Sequence, residues 1–148
     1  MTYFSLFLCA VYRVQINHHE AKAYWPSLSG PLSYTSLLEF EFMQATRLQV
    51  FLHSSDRTKG MNQYQADQIV ADWEADIAAG IVQQVSYDAE AVNKLARAYS
   101  DLYTTRGGHR SLDLLHVATA IHLGARKFLT FDARQKALAK IVGLKVPF

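Results

Sequence analysis

The stretch Arg110-Ser-Leu-Asp113-Leu-Leu-His116-Val-Ala-Thr-Ala-Ile-His-Leu-Gly124-Ala-Arg-Lys-Phe128-Leu-Thr130-Phe-Asp132 decides how the chain is read. From Leu112 to Leu123 most residues are apolar, and a helix apolar nearly all round is a buried helix. Ser111 is placed to cap it, and Gly124 to end it in a left-handed conformation. Asp113 is out of character there, since aspartates are rarely fully buried without a partner. Phe128 to Phe131 reads as a short buried strand with Asp132 at its carboxyl end. In open α/β sheets, sites gather outside the carboxyl ends of strands. Two acids are therefore expected at one place.

Working outward, the 148 residues suit one domain, 1–148, with a core of ordinary size. Half the residues are hydrophobic and 19% charged, slightly below the usual share, which points to some surface covered by a partner. The net charge of +2 is compatible with a nucleic-acid partner without demonstrating one. The single cysteine, Cys9, excludes an internal disulfide and any multi-cysteine metal site. Met1 to Val11 is apolar but too short to span a bilayer, and no basic segment precedes it. A cytoplasmic protein with no membrane segment is expected.

The pattern predicts a first strand over Tyr3 to Val11 and a polar connection from Tyr12 to Asn17. A helix over His19 to Leu28 is broken at Ser29-Gly-Pro31. Leu32 to Tyr34 is a second strand. Thr35 or Ser36 caps a helix to about His53, with Leu37, Leu38, Phe40, Ala45, Leu48 and Phe51 for the core. Met61 to Ala79 is helical, with Ala66, Ile69, Val70, Trp73 and Ile77 on one face. A short extended piece covers Ile81 to Val85. Asp88 caps a helix with Val92, Leu95, Tyr99 and Leu102 inward, and Thr104 to His109 is a mobile loop. After the opening stretch come a helix from Ala133 to about Val142 and a last strand, Leu144 to Phe148. Strands separated by helices argue for a parallel sheet covered by helices.

Three carboxylates stand out: Asp113, Asp132 and Glu41. Helical spacing groups Glu41 with Leu37, Leu38, Ala45 and Leu48, the inward side, and leaves Glu39 to Met43 or solvent. Buried carboxylates close together repel and resist ionising. A hard cation such as Mg²⁺ or Mn²⁺ relieves that repulsion and supports phosphodiester hydrolysis. The plainer reading is that each acid is separately satisfied, as a helix cap or a surface charge. His116, three residues after Asp113, either orients that acid or is a hydrogen-bonded core histidine. Arg106, His109 and Arg110 flank Gly107-Gly108 and either grip phosphate groups or form a solvated loop. Arg134, two residues after Asp132, either touches phosphate or pairs with an acid. Thr130 alternates away from Leu129 and Phe131, as a hydroxyl supporting the acids.

Three segments carry a resemblance. They are Thr35-Ser-Leu-Leu-Glu-Phe-Glu41-Phe-Met-Gln-Ala-Thr-Arg47, then Arg110-Ser-Leu-Asp113-Leu-Leu-His116-Val-Ala-Thr-Ala120, then Phe128-Leu-Thr-Phe-Asp132-Ala-Arg-Gln135. In order and spacing they resemble the PIN-domain family, small metal-dependent ribonucleases that include many toxins of bacterial toxin–antitoxin pairs. The resemblance implies a three-layer α/β/α sandwich around a short, mostly parallel sheet. It implies a Mg²⁺ or Mn²⁺ site made by Glu41, Asp113 and Asp132, RNA as substrate, an antitoxin partner and a homodimer. Trp25, Phe40, Phe42 and Phe51 are candidates for the partner surface. The family also places an aspartate at the end of the first strand. The matching segment here is Phe4-Ser-Leu, with Phe4 standing at the acid's place.

Two further readings stand beside a metal-dependent endoribonuclease. One is a PIN-like protein without turnover that binds RNA or an antitoxin. The other is an unrelated module for a small phosphate ligand, against which the missing glycine-rich loop counts.

Overall fold

The apolar run at the amino terminus divides into a strand and a helix. β1 spans Thr2–Phe4 and α1 spans Phe7–Tyr12. The expected single strand to Val11 is thus corrected, because an unbroken apolar run does not distinguish a buried strand from a buried helix. The computed structural model describes residues 1–5, 7–12 and 17–147, so the expected connection from Tyr12 to Asn17 lies largely outside the described residues. The chain forms two compact units, one of Met1–Phe7 with Val85–Phe148 and one of Leu8–Gln84.

The Leu8–Gln84 unit carries α2 (His18–Tyr24), a 3₁₀ turn over Trp25–Ser27 and β2 (Leu32–Tyr34). There follow α3 (Ser36–Ser55), α4 (Gln63–Ala78) and β3 (Val82–Gln84), which pairs in parallel with β2. Thr35 caps α3 by accepting from the Leu38 amide at 3.3 Å. The Asn62 and Gln65 side chains form a reciprocal capping box at the start of α4. Between these helices the Met61 amide donates to the Gln49 carbonyl. A Cβ on Gly60 would lie 2.0 Å from that carbonyl oxygen, so only glycine fits the turn.

Trp73 is the centre of this unit, with no exposed surface. Its ring meets Tyr34 edge-on at 4.8 Å and Phe42 at 5.3 Å, and its indole N–H donates to Glu39 Oε1 at 3.2 Å. Glu39 therefore has Trp73 as its partner rather than Met43 or solvent. The inward row of α3 is Leu38, Phe42 and Thr46, four residues apart. Leu48, Phe40 and Phe51, expected in the core, are 46%, 63% and 64% exposed. Glu41 is half-buried beside that row.

The other unit is built on β1 and β4 (Lys127–Leu129), which run parallel with Tyr3 opposite Phe128. Its helices are α5 (Ala89–Tyr99), α6 (Thr105–Gly107), α7 (Ser111–His122) and α8 (Ala133–Ile141). Tyr3, Val92, Leu114, Val117, Phe128 and Leu138 belong to one buried cluster. The expected loop from Thr104 begins instead as helix. A π-helical turn over Ser100–Thr104 runs directly into α6. That wider turn shifts the helical phase. Tyr103 consequently packs against the core while Leu102, expected inward, is 60% exposed.

Gly124 ends α7 at φ +67°, as expected, but the cap residue is Arg110 rather than Ser111. The expected last strand reduces, among the described residues, to one parallel bridge between Lys145 and Lys127. Parallel strands alternating with helices match the expected α/β class.

Candidate active site

The opening stretch delivers Asp113 into the first turn of α7, only 6% exposed. Its Oδ2 accepts from the Arg110 main-chain N–H at 3.0 Å. The reciprocal half of a capping box is missing because an arginine side chain has no acceptor. Its Oδ1 accepts from Gln135 Nε2 at 3.1 Å. A buried carboxylate needs such donors, each charge-assisted bond contributing about 1.5–3 kcal/mol.

Asp132 closes the other end of the stretch. It caps α8, its Oδ1 accepting from the Arg134 and Gln135 amides at 2.8 and 2.9 Å. Gln135 thus touches both acids, Asp132 through its main chain and Asp113 through its side chain. Its carbonyl oxygen accepts from Ser5 Oγ at 2.5 Å and Thr130 Oγ1 at 2.8 Å. Thr130 in turn accepts from the Asp132 amide at 3.1 Å. Ser5, Thr130 and Gln135 are at most 1% exposed. Two donors to the oxygen and one acceptor for the nitrogen define the amide's orientation.

This network lies at the carboxyl ends of β1 and β4, where the Ser5 amide donates to the Leu129 carbonyl at 3.1 Å. The pleat decides which residue after β1 faces it. Phe4 turns into the core against Phe7, with ring centroids 5.8 Å apart. Ser5 is the residue whose side chain enters the acid network.

The other expected residues divide by environment. His116 is fully buried, and its Nδ1 shares a 3.0 Å hydrogen bond with the Tyr3 hydroxyl. Arg106, Arg110 and Arg134 have exposed side chains. His109 is 7% exposed, and its Nδ1 has no hydrogen-bond partner among the described residues. Its ring covers Gly107, where a Cβ would lie 2.3 Å from Nε2. Glu41 belongs to the Leu8–Gln84 unit. Among the described residues, no three His, Cys, Asp or Glu side chains gather closely enough to hold a metal ion. Asp113 and Asp132 are hard oxygen donors of the type Mg²⁺ and Mn²⁺ take, so the acids fit in kind. Both Asp113 oxygens, however, already accept hydrogen bonds.

Sequence reasoning missed Ser5 and Gln135. For Gln135 a signal exists: on α8 it shares the inward row with Leu138 and Ala139, three and four residues on. A polar residue on an inward row calls for a buried partner. Ser5 offers no comparable signal, because a short strand leaves the facing residue ambiguous by one.

The PIN domain family model matches residues 7–141. No curated protein matches the sequence. Among solved structures, the fold is similar to that of VapC20 from Mycobacterium tuberculosis, described as a sarcin–ricin-loop-cleaving toxin. The TM-score is 0.65 at 16% identity, over 93% of this chain and 94% of that one. No helix among the described residues is long and apolar enough to cross a membrane.

Proposed function

Because this chain belongs to the PIN-domain family, we propose that it is a metal-dependent endoribonuclease and the toxin of a toxin–antitoxin pair. The observation that carries the reading is the joining of Asp113 and Asp132 through Gln135 at the carboxyl ends of two parallel strands. Asp113 and Asp132 would hold Mg²⁺ or Mn²⁺. A bound divalent ion supplies Lewis acidity toward a phosphodiester and a more acidic water. The chain's own part is to orient the two carboxylates, through the Arg110 amide, Gln135 and the α8 cap. The exposed Arg110 and Arg134 adjoin these acids in sequence and support phosphate contacts, with Arg106 further out. Glu41 is proposed as a further acid on the likeness of its segment to the family. Exposed Phe40 and Phe51, three helical turns apart on α3, support a partner surface for a second copy or an antitoxin.

A second reading, a PIN-like binder of RNA or antitoxin without turnover, is favoured by Ser5. The resemblance calls for an acid at Phe4, whose ring turns into the core against Phe7; the neighbouring Ser5 brings only a hydroxyl to the acids, and one hard ligand fewer weakens a metal site. The test is cleavage of single-stranded and hairpin RNA with Mn²⁺ or Mg²⁺, beside Asp113→Asn and Asp132→Asn. Activity in the parent that either substitution abolishes supports the nuclease. RNA binding without cleavage, unchanged in both variants, supports the binder.

A further inference from the structure

We propose that the side-chain amide of Gln135 stands in for a cation against Asp113, and so sets how tightly this site takes a divalent ion. The inference rests on the reading above that Asp113 faces such an ion. Three observations carry it. The Gln135 nitrogen donates to Asp113 Oδ1 at 3.1 Å, so a positive dipole end already occupies one carboxylate oxygen. The amide is held from behind by two buried hydroxyls, Ser5 and Thr130, both donating to its oxygen. Turned over, it would set its carbonyl oxygen against the Asp113 carboxylate, two acceptors with no proton between them. Finally, Gln135 is 1% exposed and its main chain is fixed in the Asp132 cap, so no loop motion carries it aside.

A metal reaching Asp113 Oδ1 therefore competes with a satisfied buried amide for that oxygen's lone pairs, sharing it or displacing the amide. An ion meeting the same carboxylate without that guard has no such competitor. The chemistry of the pocket makes a sharp substitution available. In Gln135→Glu, Ser5 and Thr130 still donate to one carboxylate oxygen, while the other stands beside Asp113 Oδ1. Two carboxylates at that spacing repel, and a divalent cation between them relieves the repulsion.

The experiment is Mn²⁺ titration by calorimetry, with thermal unfolding in chelator and in Mn²⁺, on the full chain, Gln135→Glu, Gln135→Ala and Asp113→Asn. Expected for Gln135→Glu are Mn²⁺ affinity about tenfold or more above the parent and a melting temperature lowered in chelator and recovered by Mn²⁺. Gln135→Ala frees Asp113 without adding an acid, and should also bind Mn²⁺ more tightly than the parent. It decides the matter should the glutamate variant not fold. Equal affinity in parent and both Gln135 variants, lost in Asp113→Asn, overturns the guard and leaves the nuclease reading standing. No binding in any variant overturns both.

Discussion

The two compact units bury different kinds of side chain. Around Trp73 the Leu8–Gln84 unit is aromatic, with Tyr34 and Phe42 packed on one indole. Its fully buried polar side chains, among the described residues, are Thr35 and Thr46. Thr35 caps α3, and Thr46 donates to the Phe42 carbonyl one turn back on the same helix. The other unit buries Ser5, His109, Asp113, His116, Thr119, Thr130 and Gln135. Four of these, Ser5, Asp113, Thr130 and Gln135, are joined to one another by side-chain hydrogen bonds across the unit. Buried polar networks are costly unless every member is paired. One unit therefore maximises packing, while the other gives up apolar burial to hold two carboxylates in place. At the edge of the aromatic core the Tyr12 hydroxyl donates to Asp76. Burial first, then that bond and the charges of Asp76 and Asp72, hold its ionisation above the ordinary phenol range.

This contrast can be broken at its strongest point. Trp73→Ala should cost about 3–5 kcal/mol in denaturant unfolding, the range for removing a buried aromatic ring. A loss below about 1 kcal/mol would mean that the aromatic unit does not dominate stability. Next, Gln135→Leu keeps the volume but strands two hydroxyls and a carboxylate oxygen. A loss of about 1–3 kcal/mol is expected, and a neutral result would show that the polar network is no more demanding than the aromatic core. Thr35→Ala removes the cap of α3 and should cost about 1 kcal/mol.

The smallest effect concerns the surface. Asp88 caps α5, and the Ala91 amide before all else, with the Glu90 amide and His122, holds its carboxyl below the usual carboxylate range. A lowered folded-state pKa contributes stability above the unfolded value, about 3.9. That contribution is lost as pH falls through the folded pKa. The melting-temperature advantage of the parent over Asp88→Ala should accordingly be full at pH 6 and shrink toward pH 3. An advantage constant over that window would detach the cap from its charge.

Much of the fold was legible because its signals are local. β2 was bounded residue for residue, and Thr35 and Asp88 were read as caps. Trp73, Ile69 and Ala66 fell on one face of α4 because helical periodicity is a property of adjacent turns. The errors have physical causes too. The run from Tyr3 to Val11 carries no period, so strand and helix were indistinguishable. The π-helical turn over Ser100–Thr104 leaves no mark in composition, yet it exchanges Leu102 for Tyr103 at the core. On α3, a broad apolar stripe concealed that Leu38, Phe42 and Thr46 are the inward row.

The opening stretch shows the same division. From sequence alone came a buried helix with an aspartate in its first turn, a strand after it and a second aspartate at the strand's end. These follow from hydrophobicity and from the caps that helix ends require. What holds the two acids was decided only by tertiary structure. Ser5 lies 130 residues from Gln135, and Gln135 lies 22 from Asp113. No local period relates residues so far apart. Their contact depends on β1 lying parallel to β4 in one register, which turns Ser5 toward the acids and Phe4 away. A shift of one residue in that register would exchange the two faces.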